Sequence, residues 1–504
     1  MRLLRSTAPL LLLLAAATCR RPLPPDRPIV VAIEAAPVHP DPRLGNDQAS
    51  ERIQDAAFRG LFRREPSGVM SPDLAASAEW REGGTLLAVR LRAGLRFVDG
   101  RELDADDVLW TFGTLLDPAT GSPRRGAFAM LDPARPIGKM GPQEIAFRCA
   151  GALPCPSLLS NLTVGIVPKG ASPDDIRLRP IGGGPMRIST DSTEDEVRFE
   201  PVSPRASRIF LRVVPDATSR ALALQSGSID LAVNNLSPDV VSRFRADPRF
   251  RVVEGAGTNF AYLGFNCAHP RLADRRVREA IALSIDRSAL LEHLHRGLGR
   301  LTETPLPPGN FARAEELPPL VPDLARAARL LDEAGLFPGP DGVRVRFLYK
   351  TSTDETAILQ ATAIQAMLAR SGIAVEVRPL DFATFFQDVK AGAVEIWSLV
   401  WTNVADPDLL RMIFHSRMTP PAGWNRGRFG DPQLDDLLDR ASRSVDPAAS
   451  APLWREAQQI ARRELPIVPL WHRSNVAVAR AGVEGIDPGP FGDFRFLEKL
   501  RRGR

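Results

Sequence analysis

Lysine is almost missing from this chain of 504 residues. Only Lys139, Lys169, Lys350, Lys390 and Lys499 occur, so arginine carries nearly all of the positive charge, a bias we read as genome composition rather than function. The formal net charge of +5 is small for the length and makes no case for nucleic-acid binding. Histidine is scarce and scattered: His39, His269, His293, His295, His415 and His472 include no H-E-x-x-H or facial-triad spacing. His293 and His295 stand two apart on a predicted helix and face apart, so neither a metal site nor a cofactor is expected. No G-x-S-x-G or other nucleophile motif is present, which argues against an enzyme. No apolar run beyond residue 17 approaches the length of a membrane span. Cysteine is limited to Cys19, Cys149, Cys155 and Cys267. Proline, by contrast, is plentiful at 46, mostly between periodic segments, and points to many rigid loops.

The first residues read as an export signal. Arg2 and Arg5 form a basic start, and residues 10–17 form an apolar stretch of signal-peptide length. Leu14-Ala15-Ala16-Ala17-Thr18-Cys19 resembles a lipobox, in which Cys19 would be lipidated; the alternative is a secretory signal cut near Ala17. On either reading residues 1–18 are a signal and the protein is exported. Residues 19–28 are then a lipid anchor with a stiff Pro-rich tether. Cys149 and Cys155 flank the short turn AGALP, and an oxidising compartment makes a disulfide the expectation there. Closing so small a loop contributes roughly 2 kcal/mol in the chain-entropy model. Cys267 is expected as a buried thiol.

Alternation and spacing outline an α/β protein. Residues 29–33 (IVVAI) read as a buried strand. Residues 91–108 (LRAGLRFVDGRELDADDV) read as a strand, an Asp-Gly turn and an Asp-capped helix burying Val108, Phe112 and Leu115. Residues 181–186 (IGGGPM) are glycine-rich, but no Lys-Ser/Thr follows, so a crossover loop is expected rather than a phosphate cradle. Residues 216–231 read as a capped helix, a Gly stop and a strand. In the C-terminal half, helices over 322–335 and 356–371 alternate with strands over 343–348, 373–377 and 395–401, the signature of a sheet flanked by helices.

The stretch 263–287, LGFNCAHPRLADRRVREAIALSIDR, is the most informative. Tyr262, Leu263 and Phe265 form a strand, Asp274 is placed to cap a helix, and Val277, Ile281, Ser284 and Ile285 share one helical face. Its residues closely resemble a segment of the extracytoplasmic solute-binding proteins of ABC importers, family 5, the oligopeptide/dipeptide/nickel-binding group. Residues 91–108, Gly60-Leu61-Phe62, Pro72-Asp73-Leu74-Ala75 and residues 466–471 (PIVPLW) resemble other elements of that family.

The resemblance implies a two-lobed, clamshell periplasmic-binding-protein fold of type II with an inserted subdomain. Lobe I is expected over 29–57, 182–256 and 473–504, the insertion over 58–181 and lobe II over 257–472. It also implies a monomer in the periplasm or cell envelope, held to the membrane by lipid on Cys19. Such a protein would capture a small peptide or peptide-like solute and deliver it to permease and ATPase subunits. A ligand sensor on the same scaffold, or a binder of a sugar, opine or metal chelate, are the alternatives.

The expected contacts follow from strand ends. Trp397 and Trp401 share a face of one strand, as an aromatic wall or with one of the two as sheet core. Thr402, Asn403 and Asp406 follow, Asp406 either touching solute or building an Asp-Pro turn. Trp424 and Asn425 lie in a Gly-containing loop, Asn259 and Tyr262 where the chain crosses between lobes, and Ala35 and Ala36 in the loop after the first strand. Peptide binders of the family often carry an acid soon after the tryptophan; here Thr402, Asn403 and Val404 are uncharged. The solute is therefore neutral, or its charge is met elsewhere.

Overall fold

The computed structural model describes residues 27–204 and 206–503. Cys19, the signal and most of the tether lie outside them. Three sheets of four or more strands organise the described residues.

The first sheet has seven strands, in the order Phe250–Gly255, Asn475–Arg480, Leu231–Val233, Ile29–Ile33, Ile209–Val213, Glu196–Pro201 and Met186–Ile188. Ile29–Ile33 runs parallel to both of its neighbours and every residue in it is buried. That central position explains a continuous apolar run where an exposed strand would alternate. The second sheet has six strands, in the order Gly299–Leu301, Ile467–Arg473, Phe260–Phe265, Ile396–Trp401, Val345–Ser352 and Ile373–Leu380. Its two faces carry separate cores, one around Phe347, Ile364 and Trp471 and one around Phe260, Leu410 and Trp454. The third has four antiparallel strands, Ala75–Arg81, Leu86–Leu91, Glu144–Arg148 and Ile137–Gly141.

Local chemistry accounts for the helices between them. Asp104 caps Ala105–Leu116 in a capping box with Asp107, and Val108, Phe112 and Leu115 are buried. Phe112 packs edge-on against Phe128 and Phe147, fixing that helix on the four-stranded sheet. Cys149 and Cys155 are bonded, their Cα atoms 6.0 Å apart. Asp216 caps Ala217–Ser226, which stops at left-handed Gly227. Asp274 caps Arg275–Ser284, whose Val277, Ile281 and Ser284 are buried. Ile285 ends that helix, and Arg287–His295 follows under its own Asp286 cap. Arg278 is also buried, because its guanidinium donates to the carbonyls of Leu272, Ala273, Glu464 and Leu465. The helix expected over 322–335 spans only Leu324–Glu333, since Asp323 is the cap rather than part of the helix.

The chain passes between the two large sheets at adjacent places. Phe250–Gly255 continues into Phe260–Phe265, and Ile467–Arg473 into Asn475–Arg480. The two crossings touch: Arg473 N donates to Asn259 O at 2.9 Å, and a Cβ on Gly257 would lie 2.0 Å from Arg473 O. Glycine is required there by close approach. Gly182 and Gly184 have the same origin, for a Cβ on Gly182 would lie 2.0 Å from Ala57 O and one on Gly184 2.4 Å from Ala57 C.

Candidate binding cleft

A cavity of about 1200 Å³ opens between the seven-stranded and six-stranded units. One wall comes from helix Gln48–Ala57 and the chain that follows it, with Arg52, Asp55, Arg59 and Arg64. Thr163 and Gly165, the crossover glycines Gly183 and Gly184, and Asp493 and Arg495 from the C-terminal segment complete that side. The opposite wall holds Asn259, His295, Asp354, Thr402 and Asn403, and Arg473 projects from the crossing itself.

Most of the cleft arginines are already engaged. Arg52 pairs with Glu34, Arg59 with Asp73, Arg124 with Glu51 and Arg495 with Asp493. Arg64 and Arg473 differ: among the described residues neither has a carboxylate within ion-pair distance. Burial lowers the pKa of Arg64, against the pull of Glu51 and Asp406, and Phe491 lies 5.7 Å from its guanidinium. Burial likewise lowers that of Arg473, against Asp354, although the residue is exposed where it lines the cleft. Asp55 is pushed up to about 7 by burial and by its neighbour Asp493, with Arg495 opposing. Asp493 is raised as well, first by burial. The cleft therefore offers cations without carboxylate partners together with one carboxyl, Asp55, that is pushed up to about 7, an arrangement able to meet charge of either sign.

The expected contacts divide into three groups. Asn259, Thr402 and Asn403 line the cleft, and Asn259 Oδ1 accepts from Asn403 N at 2.8 Å, holding Asn403 at a φ of 53°. Tyr262, Trp401 and Trp424 form a stacked array beside it, with centroids 6.0 Å apart for Tyr262–Trp401 and 5.5 Å for Trp401–Trp424. Tyr262 is buried within the array and Trp424 is 46% exposed.

The remaining contacts are corrected by the structure. Trp397 is only 1% exposed and packs with Phe385, Val389 and Val394 over Gly264, so it is sheet core. Asn425 is buried, its amide committed to His415 O, Phe429 O and Phe429 N, so it shapes the loop and has nothing left for a solute. Asp406 accepts from Asp408 N and from the Ser160 hydroxyl, which makes it a turn residue tying the inserted region to the six-stranded unit. Ala35 and Ala36 are exposed outside the cleft; Glu34 turns inward instead, to Arg52 and Asn235. Cys267 is half-buried rather than buried, and burial raises its thiol to about 11.

Arg64, Arg473 and Asp55 were not anticipated. They come from two distant parts of the chain, Asp55 and Arg64 from one and Arg473 from the other, and arginine is too common in this chain for its presence to mark a site. Among the described residues no group of three His, Cys, Asp or Glu side chains converges as metal ligands would. No described helix is long and apolar enough to cross a membrane.

Residues 69–418 match the family described as bacterial extracellular solute-binding proteins, family 5, middle region. The chain belongs to that family. Relatives in family 5 differ in what they are named for. Di/tripeptide-binding protein 1 of Pseudomonas aeruginosa is 26% identical, the match covering 88% of this chain and 89% of that protein. Heme-binding protein A of Haemophilus influenzae is also 26% identical, over 84% of this chain and 82% of that one. Among solved structures, NikA from Brucella suis in complex with Fe(III)-EDTA is similar with a TM-score of 0.83 at 22% identity, covering 95% of this chain and all of that one. HbpA2 from Haemophilus parasuis matches at 0.81 and 23%, over 95% of this chain and 100% of the other. Family 5 membership and these likenesses establish the two-lobed periplasmic-binding-protein fold of type II. They also establish an extracytoplasmic solute-binding role. Peptide, heme and chelate all appear in the names, so the family alone does not choose the solute.

Proposed function

We propose that this chain captures a peptide or peptide-like solute between its two lobes and hands it to an ABC permease driven by ATPase subunits. The observation that carries this reading is the cleft, with Arg64 and Arg473 unpaired by carboxylates and proton-holding Asp55 nearby. A zwitterionic solute with many backbone polar groups suits such walls; a purely apolar one does not. Asn259, Thr402 and Asn403 are the polar contacts in this reading, and the array of Tyr262, Trp401 and Trp424 the adjoining aromatic surface.

In this reading lobe I is residues 29–57, 182–256 and 473–504, the inserted subdomain 58–181 and lobe II 257–472. The paired crossings at 256–259 and 473–475 are the hinge. Solute bridging both lobes stabilises the closed form; reversing a 1:99 ratio takes about 5.5 kcal/mol of differential binding. The protein works as a monomer, exported by residues 1–18 and anchored through Cys19. The intact mass of the mature protein tests the anchor: a diacylglyceryl addition on Cys19 is expected, and an unmodified chain beginning near Thr18 would remove it.

Native mass spectrometry of protein purified from its own host tests the solute. A ladder of co-purifying peptide masses is the expected outcome. A single non-peptide mass would overturn the peptide reading while leaving the family role intact.

A further inference from the structure

Beside the cleft, a third arginine lacks a carboxylate partner. The Arg426 guanidinium carbon lies 4.1 Å from the centre of the Trp401 ring and 4.8 Å from that of Phe386. One of its N–H groups donates to the Tyr262 hydroxyl at 3.2 Å. Among the described residues no acid reaches Arg426 within ion-pair distance. Of five guanidinium donors, one is used.

The surroundings add further cations, and the nearest acid on the adjoining helix, Asp388, is paired with Lys350. Lys390 Nζ lies 5.2 Å from the Phe386 ring, and Arg428 donates to the carbonyls of Arg426 and Lys390, tying this loop to helix Phe382–Ala391. Neither Lys390 nor Arg428 has an ion-pair partner among the described residues. Two large apolar surfaces border the group: Trp424 is 46% exposed and stacks on Trp401, and Phe382 is 59% exposed and stacks on Phe386. The patch stands where the parallel strands Val345–Ser352 and Ile396–Trp401 end, and Thr402 and Asn403, next in the chain, line the cleft. Carboxyl ends of parallel strands are the usual side for ligands in open α/β sheets.

Aromatic faces orient a guanidinium without neutralising it. Apart from the one bonded to the Tyr262 hydroxyl, the guanidinium N–H groups of Arg426 have no hydrogen-bond partner among the described residues. We infer that Arg426 is the anion-binding group of a lobe II subsite that takes a carboxylate carried on a planar or apolar body, with the body against Trp424. This inference rests on the solute-binding reading and deepens it. The subsite recognises an anionic end, and the rings favour solutes whose carboxylate adjoins an aromatic or apolar group.

The test uses 4-fluorobenzoate and its uncharged counterpart 4-fluorobenzamide, followed by fluorine NMR on the full mature protein. Saturable millimolar binding of the acid is expected, with the amide at least tenfold weaker, since a charge-assisted hydrogen bond lost means roughly 10- to 100-fold. Arg426→Gln should bring the acid down to the amide. Arg426→Lys keeps the charge but loses the planar fork, so it should weaken the acid several-fold; it also serves if the glutamine variant does not fold. Trp424→Ala should weaken acid and amide together. No binding to the wild type, or binding of the acid unmoved by both Arg426 variants, overturns the subsite. Co-purifying peptides alongside that result would leave the peptide reading standing. Arg426-dependent binding of the acid without any peptide mass would keep the subsite and remove the peptide reading.

Discussion

The two walls of the cleft are built from different chemistry. On the lobe I side, Arg52, Arg59, Arg64, Asp55, Asp493 and Arg495 crowd together. On the lobe II side, Asn259, Thr402 and Asn403 present neutral amides and a hydroxyl beside a single lining acid, Asp354, and are backed by stacked rings and by buried Phe260 and His472. A charged wall attracts solute strongly but holds its own ionisable groups under strain of desolvation; a neutral wall discriminates by shape and by single hydrogen bonds. The difference teaches that charge and fit can be changed separately in this protein, one wall at a time.

The largest effect is expected behind the neutral wall. Burial, helped by Arg313, holds His472 down to about 4. An unfolded histidine takes its proton near 6.5, the folded one only near 4, so stability complete above pH 6.5 falls as the pH drops toward 4. The loss should approach about 3 kcal/mol. Urea melts at pH 7.5 and 4.5 read it directly, and His472→Asn should flatten the difference. A wild-type stability that does not fall across this window would show that the neutral wall is wetter than described.

Affinity should separate the walls next. Arg64→Ala is expected to cost about 2 kcal/mol in binding the solute that co-purifies, and Thr402→Ala about 1 kcal/mol, as charged and neutral hydrogen bonds differ. Calorimetry on both variants measures it; equal losses would erase the contrast.

The smallest effect has the opposite sign from that of His472. Asp55 keeps its proton up to about 7 in the folded state, whereas the unfolded carboxyl releases it near 3.8. Its contribution is fully present below pH 3.8 and is lost as pH rises through 7. Asp55→Asn should therefore stabilise the unliganded protein by about 1 kcal/mol at pH 8, less than the full shift because the cleft is wet, and not at pH 4. Thermal melts at the two pH values check it. A variant less stable than wild type at pH 8 would mean that Asp55 is held ionised by Arg495.

Much of the fold was legible because it is written in local chemistry. The run IVVAI announces a buried strand, and Asp104, Asp216 and Asp274 announce their helices through a side chain three or fewer residues from the amide it accepts from. Cys149 and Cys155 are close enough in the chain for their pairing to be read without the fold. The site was only partly legible. Asn259, Thr402 and Asn403 were found because they end strands or begin crossings, positions that alternation and turn residues mark. Trp397 and Asn425 were misplaced because aromatic rings and amides serve cores and loops as readily as ligands, and only packing distinguishes the uses. Trp397 and Trp401 do share a face, yet helix Phe382–Ala391 covers the first and leaves the second beside the cleft.

Sequence alone thus determined the α/β alternation, the helix starts and the likeness to family 5, since each depends on residues near one another in the chain. Tertiary structure alone decided which of the many arginines go unpaired. Arg64, Arg426 and Arg473 are ordinary members of an arginine-rich chain. What singles them out is that they stand at or beside the cleft with no carboxylate within ion-pair distance, and that depends on the placement of segments hundreds of residues apart, which no local pattern records.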